Sequence, residues 1–308
     1  MSAEPERTVM FDARSSTQKG LGLGFGLGVT GLVAALFFGA LYAPSLTGPG
    51  KSVVEAEASA STPSDSVLDS AFSDEATRTY IRKLRRTFPS AAADLETSIR
   101  RALRRDADEV ELGLIVLQAG VKEIAGSVDR LARADVRYFD SIVDLSQAQL
   151  DALQRSGAPY CMGNDLMMFA GLSEQQLYRT IFDRVGHGAG LYEYALGVNG
   201  ILLDAIQDAR TSPKSYGPLT HDDQQSLQAL GLALVTHPQI VMLLTTEGKT
   251  RSEMDSVLAD TNFCSLTTDI LDKVEALPAE TRGRLWAEAL YQVSSGRWRY
   301  TLYRYTGY

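Results

Sequence analysis

Three groups of residues have types and spacings that could do chemistry. The first is His187, set in Gly186-His187-Gly188-Ala189-Gly190 and followed by Tyr192 and Glu193. A histidine and a carboxylate six positions apart could serve as acid and base in a cleft between helices, as in a membrane-anchored hydrolase. The simpler account is a helix junction, where glycines leave the backbone room to turn or to pack closely. The second group is Cys161 and Cys264, the only two cysteines in 308 residues. In an oxidising compartment they would form one disulfide closing a long loop; otherwise they are small buried apolar residues. A cysteine nucleophile is disfavoured, because neither residue sits in a recognisable local signature. The third is His221, followed by Asp222 and Asp223. There Thr220 can cap a helix whose first turn favours acidic residues, so no metal is needed to explain the cluster.

No His-Glu-x-x-His, Gly-x-Ser-x-Gly, phosphate-binding loop, calcium loop or paired Cys-x-x-Cys occurs. The expectation is therefore a non-catalytic protein with no cofactor and no metal.

Charge points to binding instead. The chain carries net −8, which argues against a generally basic nucleic-acid coat. Yet residues 78–105 hold nine cations against Asp94 and Glu96, a net +7, leaving −15 elsewhere. Arg82, Arg85, Arg86, Arg100, Arg101, Arg104 and Arg105 recur at helical spacing. They could dock an anionic partner such as lipid headgroups or a cell-wall polymer. Charge runs on helices are usually solvated faces, and pairing with the acidic remainder is the plainer alternative. A second candidate surface is the tail at residues 297–308. There Trp298 and Tyr300, then Tyr303 and Tyr305, alternate as in a strand.

The elements that must hold these residues begin with a membrane segment. Residues 20–43 are 24 positions without a charged side chain, long enough for a spanning helix. Gly20, Gly24, Gly28, Gly31, Ala35 and Gly39 place small residues at close to four-residue intervals. That pattern lets helix backbones approach within a bilayer, so it predicts contact with a second copy or with another membrane subunit. Arg7, Arg14 and Lys19 precede the stretch and only Lys51 follows closely, which favours a cytoplasmic tail at 1–19 and an extracytoplasmic remainder. Nucleic acid is then not an expected partner. A cleaved signal peptide is the rival, but Pro44 follows Ala43 directly and the small-residue cleavage pattern fails there.

Residues 44–66 are rich in Ser, Ala, Pro, Gly and Thr and read as a flexible tether reaching on the order of 25 Å. From residue 67 the chain reads as mainly α-helical, with apolar stripes such as Leu112, Ile115, Val116 and Ala119. Ser146 before Gln149, Ser173 before Gln176 and Thr220 before Asp223 read as helix starts, as does Pro278 before Glu280. The expected organisation is a basic helical arm or hairpin at 67–156, a compact helical domain at 157–296 and the aromatic tail. The expected function is a structural, assembly or scaffolding subunit of a membrane or cell-envelope complex. A ligand sensor acting through a partner is the other alternative.

Overall fold

The computed structural model describes residues 67–157, 161–164, 176, 190–244 and 250–294. The spanning stretch and its glycines, the tether, His187, Ser173 and the aromatic tail all lie outside these residues. Among the described residues, no helix is long and apolar enough to cross a membrane.

The described chain is mainly helical and contains no strand. Twelve helices follow in order: α1 (Val67–Ala71), α2 (Glu75–Thr87), α3 (Pro89–Leu103), α4 (Glu109–Ala125), α5 (Val128–Leu131), α6 (Val136–Ser156), α7 (Leu191–Thr211), α8 (His221–Val235), α9 (Pro238–Leu244), α10 (Arg251–Ala259), α11 (Phe263–Glu275) and α12 (Ala279–Ser294).

Local chemistry sets the ends. Asp74, Asp108 and Asn262 each accept a bond from the third residue onward, Thr77, Glu111 and Ser265 respectively, and so cap α2, α4 and α11. Pro89 opens α3, where its missing N–H costs nothing. Gly157 ends α6 in the left-handed region at φ 64°, which a side chain would disfavour. Thr220 and Asp223 form the expected reciprocal cap of α8.

Ser146 does not start a helix. It lies buried in the middle of α6, where its hydroxyl donates to the Ile142 carbonyl (2.6 Å) and lies 2.9 Å from the Tyr194 hydroxyl. The stripe of Phe139, Ile142 and Val143 continues through it, and burial outweighs the local capping pattern.

A continuous buried cluster runs from Leu68 to Leu290. It crosses residues 156 and 157, where the sequence suggests a boundary. The long helix α7 lies against α2, α4, α5 and α6, so residues of the expected compact domain share a core with those of the expected arm. Helix α12 covers α5 and α6, with Trp286 and Phe139 ring centroids 5.1 Å apart and the indole N–H donating to the Leu131 carbonyl at 3.2 Å. At Gly120 a side chain would collide with the buried Tyr80 hydroxyl, so α4 is held close to α2 there.

Candidate functional site

The cationic helices can now be placed. Helix α2 buries Tyr80, Ile81 and Leu84 and leaves Arg82, Arg85 and Arg86 exposed. Helix α7 runs parallel to it. The Thr77 and Tyr192 hydroxyls meet at 2.9 Å near one end, and the Thr87 hydroxyl donates to the Leu203 carbonyl (3.4 Å) near the other. Between them the Lys83 stem crosses Gly200, and its ammonium lies 2.8 Å from Asp204. Arg86 also bonds Asp204. From α7, Arg210 donates to the Thr87 carbonyl (2.7 Å) and lies 4.9 Å from the Phe88 ring centroid. Part of the basic segment therefore turns inward and fastens α7.

Other arginines pair locally. Arg82 donates to Glu75 at 2.7 Å, and that bond is the main reason the Glu75 carboxyl is held below its ordinary range. Arg100 meets Glu96 at 2.8 Å, and Arg105 bonds Glu111. Exposed pairs of this kind contribute little to stability, because water and salt screen them. Asp106, Asp108, Glu109 and Glu111 follow Arg105 directly, so four of the seven excess positive charges of residues 78–105 are offset within one short loop and the next helix. Paired and solvated arginines thus account for much of the segment. Arg101 and Arg104 are the exception: both are exposed at the end of α3, with no side-chain ion pair among the described residues, beside Leu103 at 40% exposure.

The two cysteines are joined. Cys161 and Cys264 form a disulfide with Cα atoms 4.9 Å apart, and both residues are buried. The bond is part of a clasp. Gly163 N–H donates to the Thr261 carbonyl (2.8 Å) and Phe263 N–H to the Cys161 carbonyl (2.7 Å), which sets Met162 antiparallel to Asn262. A side chain at Gly163 would strike the Leu258 carbonyl, so only glycine fits this crossing. Asn262 both carries the bridge and caps α11, which places Cys264 in that helix's first turn.

Of the alternative acid-base pair, Glu193 is exposed in the first turn of α7. Its neighbours Tyr192 and Leu196 face the core instead. His187, Gly20, Gly24, Gly28, Gly31, Ala35, Gly39, Trp298, Tyr300, Tyr303 and Tyr305 lie outside the described residues.

Two polar arrangements have no signal in sequence spacing. Asp223, 1% exposed, takes the Thr220 N–H (2.7 Å), the Thr281 hydroxyl (2.6 Å) and both Nε (2.6 Å) and Nη2 (3.0 Å) of Arg284. Its partners on α12 are about 60 positions away, so only the cap at Thr220 was legible. His237 precedes Pro238 at the junction of α8 and α9, and its Nε2 lies 3.0 Å from Asp269 of α11. Among the described residues, no three His, Cys, Asp or Glu side chains gather as a metal site.

Comparison with protein family models, curated proteins and solved structures finds no match.

Proposed function

We propose that this protein is a membrane-anchored, non-catalytic docking subunit of a cell-envelope complex, with its helical body on the extracytoplasmic side. The reading is carried by the Cys161–Cys264 disulfide. A bond joining residues 103 positions apart inside a helical body suits folding in an oxidising space. The uncharged residues 20–43 and the cations before them supply the anchor and the matching orientation.

Within this reading the surfaces divide the work. The small-residue face of the anchor contacts another spanning helix, either a second copy or a different subunit. Arg101 and Arg104, left over from the pairing that occupies their neighbours, meet acidic groups of the complex.

The full chain extracted in mild detergent is expected to run as an assembly of fixed size larger than one chain with its detergent, read by light scattering. Gly24→Leu with Gly28→Leu is expected to reduce it to single chains. Arg101→Glu with Arg104→Glu should weaken it at low salt, and raised salt should narrow the difference from the wild type. An assembly unchanged by the glycine pair would overturn the anchor's docking role.

A further inference from the structure

Charge is arranged lengthwise across the helical body. Five helices pack in a row: α3 lies against α2, α2 against α7, α7 against α6 and α6 against α11. The basic segment 78–105 forms the α2–α3 end of that row. Residues 251–294, which contain α11 at the other end, hold eight carboxylates against four cations. Internal pairing leaves charge over at both ends. At the first, Arg101 and Arg104 lie three positions apart, exposed and without a side-chain ion pair among the described residues. At the other, Gln147 of α6 donates to Asp272 (2.7 Å) and Glu275 (3.3 Å) of α11. Asp144 and Asp151 flank Gln147 on its own face of α6. All four carboxylates are exposed, and none has an ion pair among the described residues. Arg282, which donates to the Glu275 carbonyl, directs its charge to Asp140 at 2.8 and 2.9 Å.

We propose that the α3 end of one copy docks on the α6–α11 face of a second copy. The proposal deepens the docking role given above to Arg101 and Arg104 and rests on that reading. Charge complementarity selects the partner: each end carries the sign that the other end of the same chain leaves unmatched. The spacing agrees, because Arg101 with Arg104 and Asp272 with Glu275 each present two like charges about one helical turn apart. Like ends repel, so two copies meet head to tail rather than face to face. A contact of that kind uses a different surface on each copy, and it repeats into a ring or a row. Between free bodies so few exposed ion pairs hold only weakly. Chains anchored in one bilayer meet at a raised effective concentration, where a weak contact suffices.

The test uses the full chain with its disulfide closed, reconstituted into phosphatidylcholine vesicles. Leu103→Cys and Ala276→Cys, both exposed, stand beside the two charge pairs and are joined by a short bismaleimide. A chain carrying both cysteines is expected to give a ladder of dimers, trimers and larger species, and a chain carrying either alone should give none. In the double-cysteine chain, Arg101→Glu with Arg104→Glu should lower the cross-linked fraction about fivefold at low salt, as should Asp272→Lys with Glu275→Lys. Reconstituting the two reversed chains together should restore the ladder, an outcome that misfolding of either chain would not give. The wild-type ladder should fade in about 0.5 M salt. Cross-linking through Leu103→Cys alone overturns the inference, because it puts like ends together. So does a ladder that neither reversal weakens, or one that the mixture fails to restore. Chains that fail to float with the vesicles after an alkaline wash overturn the anchored reading, and this inference with it. Floating chains that give no ladder overturn the inference alone.

Discussion

Asp223→Ala is expected to destabilise the body by about 3–5 kcal/mol, because it strips a buried guanidinium of its partner. Asp223 is 1% exposed and its carboxylate is matched by donors from Thr220, Thr281 and Arg284. Removing it frees the start of α8 from α12 and leaves Arg284, a mostly buried side chain, facing a hole. Thermal unfolding should show a fall in Tm of roughly 10 °C. Arg284→Ala alone should cost a comparable amount, and the double variant less than the sum of the two. The same contact gives a pH dependence. Arg284 first, then the Thr281 and Thr220 bonds, hold the Asp223 carboxyl far below the usual carboxylate range. The folded state therefore binds this proton less readily than the unfolded chain does. The stabilisation is complete above the ordinary carboxylate range, near pH 4, and is lost progressively as pH falls below it. In Asp223→Ala this part of the acid dependence should vanish. A variant as stable as the wild type, with unchanged acid unfolding, would show that the network contributes nothing.

The second large effect is at the clasp. Cys161→Ala with Cys264→Ala is expected to cost about 2–5 kcal/mol, in keeping with a closed loop of some hundred residues. The denaturant midpoint should fall accordingly, and reductant should change the midpoint of the wild type but not of the variant. Both cysteines are buried, so the folded wild type should resist reductant that acts readily once denaturant is added. Equal midpoints for the two proteins under oxidising conditions would contradict this.

Much of the helical architecture was legible because it is written locally. The Thr220 cap and the opening of α12 after Pro278 each depend on residues within one turn of each other. The failure at Ser146 has the opposite origin. A Ser-x-x-Gln spacing gives the same local signal whether or not a helix is already running, and what decides is Tyr194, 48 positions away. The parallel packing of α7 on α2 was hidden for the same reason. Asp204 reads as one more acidic residue until Lys83 and Arg86 are brought to it through the fold. That contact also explains why the basic segment looked more available in sequence than it is in space. A window of charge counts residues, whereas docking depends on which of them the fold leaves unpaired. Arg101 and Arg104 emerge only after their neighbours have been assigned partners.

In the proposed function the body stands outside the cytoplasm on a retained membrane anchor. The direct measurement is the full chain in cells with a carboxy-terminal reporter enzyme that is active only outside the cytoplasm, assayed together with membrane retention after an alkaline wash. The expected result is an active reporter, a chain that stays in the membrane fraction, and Cys161 and Cys264 blocked to thiol reagents until reduced. An inactive reporter with both thiols free would contradict it.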